Sequence, residues 1–165
     1  MTLNTTFNNK KMEQNENINN KEEQQINDDC EILQSDYSHF DFKFKIIVIG
    51  DSGVGKTSLT CRASSGEYQE NMPPTVGIEY FPFVLKYKEK ILKLEIWDTC
   101  GQEAYRSIVK GFFFNTSLAV IAYAIDDKKS FNSIEEWIRQ CKQNSNNPEI
   151  KFFLVGNKND IAPER

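Results

Sequence analysis

The chain has 165 residues, enough for one domain, and carries 20 Lys and Arg against 24 Asp and Glu, a net charge of −4. The acid is concentrated: residues 1–42 hold nine acidic and three basic side chains, which leaves residues 43–165 at +2. A nearly neutral body with no basic stripe argues against nucleic-acid binding. The longest apolar run, Leu118–Ile125, has eight residues, far short of the roughly 20 that span a bilayer.

After Met1 the first twenty residues carry only Leu3, Phe7, Met12 and Ile18 as isolated apolar side chains, too few for the core of a secretory signal. A cytoplasmic protein is expected. Residues 1–42 contain eight Asn and four Gln, and their sparse apolar content cannot offset the entropy of ordering a backbone. They are predicted to form a disordered leader, with a single domain over 43–165. Cys30, Cys61, Cys100 and Cys141 form no CxxC pair, and His39 is the sole histidine. Neither a disulfide framework nor a zinc site is encoded, and the cysteines are expected to act as small apolar residues.

From Phe44 to Ile49 the chain is β-branched and aromatic, then glycine-rich, then helix-forming from Ser58 to Ser64, which reads as strand, loop, helix. Residues 67–77, with Pro73, Pro74 and Gly77, are predicted to be a long loop. Ile78–Tyr87 and Ile91–Trp97 flank a short turn and alternate in character, as a β-hairpin does. Pro82 inside the first of these strands places that strand at a sheet edge, where its missing donor faces solvent. Leu118–Ile125 and Lys151–Val155 read as strands covered on both faces. Between them Phe131, Ile134, Trp137, Ile138 and Cys141 recur at helical spacing, with Ser130 as the predicted N-cap. Alternating strands and helices imply an α/β fold, a doubly wound and mostly parallel sheet with one antiparallel edge strand, whose ligand site lies at the carboxyl ends of the strands.

Three segments fall at such ends. Gly50-Asp51-Ser52-Gly53-Val54-Gly55-Lys56-Thr57 matches GxxxxGK[ST] between a predicted strand and a predicted helix. Its backbone N–H groups, from Ser52 through Ser58, can converge on a polyphosphate, Lys56 can neutralise the outer phosphates and the Thr57 hydroxyl can ligate Mg²⁺. Trp97-Asp98-Thr99-Cys100-Gly101-Gln102 ends the hairpin. Asp98 is placed to hold Mg²⁺ through water, Gly101 to present its N–H to a γ-phosphate and Gln102 to orient an attacking water. Alone this segment would be a turn; beside the first motif it is a phosphate sensor. Gly156-Asn157-Lys158-Asn159-Asp160 follows the last strand. A carboxylate there can accept two parallel hydrogen bonds from guanine, whereas adenine has no such donor pair, so GTP is selected over ATP.

On GDSGVGKTSL (50–59), PPTVGIEY (73–80), WDTCGQEAYRSI (97–108) and GNKND (156–160), the sequence resembles a Ras-superfamily small GTPase, a P-loop NTPase G-domain, and within it the Rab branch. The resemblance runs from Lys43 to Asp160. It implies GTP and GDP with Mg²⁺ as ligands and Thr75 as a second hydroxyl ligand to the metal. It implies Asn157, Lys158 and Asp160 as the base site. It also implies two switch segments, 67–80 and 98–113, that meet a GAP, an exchange factor and effectors. The activity implied is slow GTP hydrolysis in a molecular switch of vesicle traffic, held to endomembranes through partners. The pattern differs at Cys100, Ala124 and Phe112–Phe114. Cys100 reads as a substituted small residue, with a redox-sensitive thiol beside the phosphate sensor as the other reading. Against the family pattern the last helix-strand-helix segment is missing and no lipid anchor is encoded. An open edge at 151–155 with apolar surface exposed, weakened nucleotide affinity and marginal stability are therefore expected of the chain acting alone, and a truncated, non-catalytic relative that sequesters Rab partners or has no independent role stays open as the alternative.

Overall fold

The computed structural model describes residues 29–33, 36–66, 68, 72–101 and 111–161. Six strands form one sheet: β1 (Cys30–Leu33), β2 (Phe42–Ile49), β3 (Ile78–Tyr87), β4 (Lys90–Thr99), β5 (Leu118–Ala124) and β6 (Lys151–Asn157). Their spatial order is β1-β3-β4-β2-β5-β6. β2 runs parallel to β4 and β5, and β5 parallel to β6, while β3 is antiparallel to β4 and β1 antiparallel to β3. A single strand, β3, thus opposes all the others, which is the doubly wound arrangement expected. Helices α1 (Lys56–Ser65), α2 (Lys128–Asn132) and α3 (Ile134–Asn144) follow β2 and β5.

The period of two explains how β2 and β5 build a core. Ile47 and Ile49 lie in register with Ala119 and Ile121 and meet Trp137 and Cys141 of α3, together with Phe113 and Ile150. All of these but Ile150 are at most 2% exposed. A second, smaller cluster joins Val54 to Ala122 and Ala124. The spacing of Ile134, Trp137, Ile138 and Cys141 along α3 puts them on one face, while Arg139 and Glu136 pair on the exposed side at 2.6 Å.

Five expectations need correction. Within the segment expected to be disordered, Cys30–Leu33 forms β1 because Val84–Tyr87 offers an unpaired strand edge; residues 1–28 and 34–35 lie outside the described residues. Among the described residues β3 is consequently an edge only from Ile78 to Phe83, the part that holds Pro82. Ser130 is not the N-cap: α2 starts earlier, with Asp127 Oδ1 accepting from Lys129 N at 2.9 Å. Ser130 instead braces β5, accepting from Ala124 N at 3.0 Å and donating to Asp127 O at 2.7 Å. β6 ends the sheet among the described residues and leaves Phe153 62% and Leu154 50% exposed, so the coverage on both faces that its apolar run suggested does not hold, while the open edge expected of the chain acting alone does. The helix after the glycine-rich loop also begins two residues earlier than its spacing predicted, at Lys56.

None of the four cysteines is in a disulfide. Burial pushes the Cys141 thiol up to about 12, so it stays protonated at neutral pH and is a poor nucleophile. Native alkylation at pH 8, read by mass spectrometry, should therefore leave Cys141 unmodified until the protein is unfolded; modification at the rate of Cys30 would contradict the packing of α3.

Candidate functional site

The carboxyl ends of β2, β4 and β6 open into a single cleft of about 750 Å³. Its lining unites three segments far apart in sequence: Ser52, Gly53, Gly55, Lys56, Thr57 and Ser58 from the glycine-rich loop and α1, Gly101 after β4, and Asn157, Lys158 and Asp160 at the end of β6. Thr75 reaches the same cleft from the loop before β3. Val54 does not line it by its side chain, which is 1% exposed and packs on Ala122 and Ala124; only its backbone can serve a ligand. Asp98 lies beneath the lining, fully buried. Gln102 lies outside the described residues, as do 67, 69–71 and 102–110 of the two switch segments.

Glycine is required where the loops close on one another. Gly55 has φ +90°, and a Cβ there would run into Asn157 Nδ2. That amide donates to Val54 O at 2.8 Å, so the last residue of β6 braces the glycine-rich loop from behind. A Cβ on Gly101 would strike the backbone of Asp51 and Ser52, so the loop after β4 rests directly on the same turn.

Asp51 anchors the loop on its other side. Its Oδ1 accepts from Trp137 Nε1 at 2.9 Å and its Oδ2 from Ser133 Oγ at 2.7 Å. The sequence pattern gave Asp51 only a variable place in the motif and Trp137 only a place in the core; no local signal links residues 86 positions apart. Arg62, Tyr68 and Met72 also line the cleft without a sequence signal to select them.

Lys56 is 5% exposed, and its ammonium donates to Gly50 O at 3.0 Å and Asp51 O at 2.8 Å. Burial lowers its pKa, opposed by Asp98, Cys100 and Asp51. Thr57 Oγ1 donates to Asp98 Oδ2 at 2.5 Å, so at the 2.5 Å contact with Thr75 Oγ1 the latter hydroxyl is the donor. Asp98 Oδ1 is buried with no hydrogen-bond partner among the described residues. Desolvation raises Asp98 to about 6, against the lowering effects of the Thr57 hydrogen bond and of Lys56.

That donor set can be tested against a metal. Two hydroxyls and one carboxylate offer oxygen alone, the ligand type Mg²⁺ takes, and an orphaned buried carboxylate oxygen costs free energy that a cation can offset. The residues fit a magnesium ion.

Three rings stand in a row: Tyr80 lies 4.9 Å from Trp97, and Trp97 5.3 Å from Phe112. Phe113 turns into the core while Phe114 is 54% exposed, so the three consecutive phenylalanines serve three different surroundings. Cys100 is 2% exposed. Among the described residues no helix is long and apolar enough to cross a membrane.

Residues 45–165 match the Ras family. Similar curated proteins include the Ras-related protein Rab-11B of Dictyostelium discoideum, 40% identical over 126 residues, covering 76% of this chain and 57% of that one. The Ras-related protein RABA1b of Arabidopsis thaliana is 37% identical over 122 residues, 74% of this chain and 56% of its own. The Ras-related protein Rab-19 of Xenopus laevis is 40% identical over 127 residues, 76% and 59% of the two. The chain therefore spans somewhat over half the length of the curated relatives it matches.

Asp98 supplies a test by pH. Its folded pKa of about 6 lies above the ordinary 3.8, so its contribution to stability is full below pH 3.8 and is lost as pH rises through 6. At roughly 1.4 kcal/mol per pKa unit the loss is about 3 kcal/mol. In urea unfolding of the nucleotide-free protein in a chelator, Asp98→Asn should gain about 2 kcal/mol on wild type between pH 4.5 and pH 7.5, the part of the loss that falls in that window. A difference that does not change with pH would contradict the buried, incompletely satisfied carboxylate.

Proposed function

The chain belongs to the Ras family, in its Rab branch, and we propose that it binds GTP and GDP and hydrolyses GTP as a molecular switch of vesicle traffic. The observation that carries this reading is the single cleft into which the glycine-rich loop, Thr75, Gly101 and Asp160 all open. Phosphate-binding and base-reading segments that share one cleft are the minimum a nucleotide requires.

Each residue then has a role. The backbone N–H groups of Ser52 through Ser58 and the start of α1 hold the phosphates, helped by the partial positive charge of a helix N-terminus. Lys56, already desolvated and directed at the loop carbonyls, neutralises the outer phosphates. Thr57, Thr75 and Asp98 would hold Mg²⁺, which would supply charge neutralisation to the bound phosphates. Gly101 N–H faces the γ-phosphate. Gln102 orients the attacking water. Asn157 holds the loop in shape through Val54 O, Lys158 shields the base, and the Asp160 carboxylate accepts the paired donors of guanine.

The switch follows from the attachments of Thr75. Its hydroxyl ties the 72–77 loop to Thr57, and Gly77 O accepts from Cys100 N at 3.0 Å. A γ-phosphate adds a reason for both loops to stay; its loss removes one. Segments 67–80 and 98–113 are the surfaces by which a GAP, an exchange factor and effectors would read that state, from the cytoplasm or peripherally on endomembranes.

Calorimetric titration with Mg²⁺ tests the assignment. GTP and GDP should bind, and ATP should bind about 10⁴-fold more weakly, because a site built to hydrogen-bond a donor pair rejects an analogue without it by that order. Asp160→Ala should erase most of the difference. Equal affinity for GTP and ATP would remove the guanine assignment, and no uptake of either would remove the switch.

Hydrolysis is tested separately. Single turnover of bound GTP should proceed on the order of 10⁻⁴ s⁻¹, the scale of Ras without a GAP, and Gln102→Leu should slow it about tenfold or more with unchanged affinity. An unaltered rate would take the water-orienting role from Gln102.

A further inference from the structure

β1 has no part in the nucleotide cleft, and it is weakly held. Its four residues pair with Val84–Tyr87 of β3, yet Ile32 is 68% exposed and Glu31 is exposed. Backbone hydrogen bonds and surface charge supply most of the attachment. Lys88 N donates to Asp29 O at 2.9 Å, the Lys88 ammonium lies 3.8 Å from Asp29 Oδ2, and Glu31 stands opposite Lys86 in the register. Exposed ion pairs of this kind contribute little, and a short strand with little burial belongs to the low-stability end of a structure.

The chain is fastened again before β2. Asp41 N donates to Ile91 O at 2.8 Å, Asp41 Oδ2 accepts from Ile91 N at 2.9 Å, and Asp41 Oδ1 lies 3.2 Å from the Lys90 ammonium. These bonds hold Asp41's carboxyl below the usual carboxylate range, the Ile91 N–H first and Lys90 second. β1 can therefore leave the sheet without loosening β2. What it covers is a backbone edge of the sheet, whose remaining length from Phe83 to Ile78 has no strand partner on that side among the described residues and leads back to the loop carrying Thr75.

We infer that β1 is a displaceable cover on a docking edge. Val84–Tyr87 accepts an extended segment of a partner protein by strand addition, and that segment is acidic, with apolar residues alternating, as Asp29-Cys30-Glu31-Ile32-Leu33 is. Main-chain hydrogen bonds supply affinity in such docking and side chains supply selectivity. Here Lys86 and Lys88 select for acid, the charges β1 itself brings to them. A segment tethered in the same chain competes at an effective concentration on the order of millimolar. Partners must therefore exceed that competition or find β1 already lifted. Docking at this edge does not depend on nucleotide.

The test uses the full chain and a fluorescent peptide of the sequence of residues 27–38 carrying Cys30→Ser. By anisotropy, Leu33→Pro, which removes a ladder donor that the antiparallel register aims at β3 and so lifts β1 from the edge, should bind the peptide about tenfold more tightly than wild type, since the competent fraction sets the apparent affinity. The double variant Asp29→Lys, Glu31→Lys, which keeps the backbone free of proline, should shift affinity in the same direction. In the Leu33→Pro chain, Lys86→Glu should cancel the gain, and a peptide carrying Glu31→Lys should restore it. Equal binding by wild type and both opened chains, or indifference to Lys86→Glu, would overturn the inference. So would a Leu33→Pro chain that sediments as a dimer and takes up no peptide, because the edge would then belong to a second copy.

Discussion

A carboxylate with half of its hydrogen-bonding capacity unmet lies at the centre of this molecule. Asp98 is fully buried, one oxygen accepts a hydrogen bond from the Thr57 hydroxyl, and the other has no donor among the described residues. Water cannot relieve it cheaply and the buried Lys56 stays on the loop carbonyls rather than on the carboxylate. The protein alone is thus left with an acceptor that a hard cation satisfies, and the free energy of that satisfaction is available only when ligand is bound. On the proposed function, nucleotide affinity, loop order and folding would be linked through this one oxygen.

The sheet order makes that arrangement possible. β2 lies between β4 and β5, so the loop after β2 is flanked by the ends of β4 and, across β5, β6. Val48 and Asp98 are direct neighbours in register, and Thr99 Oγ1 donates to Val48 O at 2.8 Å, which fixes the height at which Asp98 enters the site. Asn157 and Gly101 then close on the loop from two sides, and Asp51 secures it to Ser133 and Trp137. The loop's shape is imposed by three other segments as much as by its own glycines.

Much of this was readable in the sequence, for a physical reason. A backbone cradle for phosphate needs glycines at fixed spacing between a strand and a helix, so GxxxxGK[ST] is legible wherever it occurs. The buried run Leu118–Ile125 and the helical spacing of Ile134, Trp137, Ile138 and Cys141 exposed the α/β alternation in the same way. Contacts that join distant positions left no local mark: the Asp51–Trp137 bond and the Asn157 brace follow from tertiary placement alone. β1 was missed because composition weighs a segment's own apolar content, and Cys30–Leu33 is ordered by the edge of β3 instead. Ser130 was misassigned because a serine near a helix start serves equally well as a cap or as a bridge back to the preceding strand. β6 was read as covered because Phe152, Phe153, Leu154 and Val155 form an apolar run, and a run cannot say which of its faces has a neighbour.

The central claim is that bound magnesium and nucleotide complete Asp98. The ¹³C shift of its carboxyl carbon, followed by pH in the free protein and in the Mg²⁺–GDP complex, measures this directly. A pKa near 6 in the free protein that falls below the ordinary carboxylate range in the complex is the result predicted. The same raised pKa in both states would mean that no cation meets this oxygen, and the account would fail.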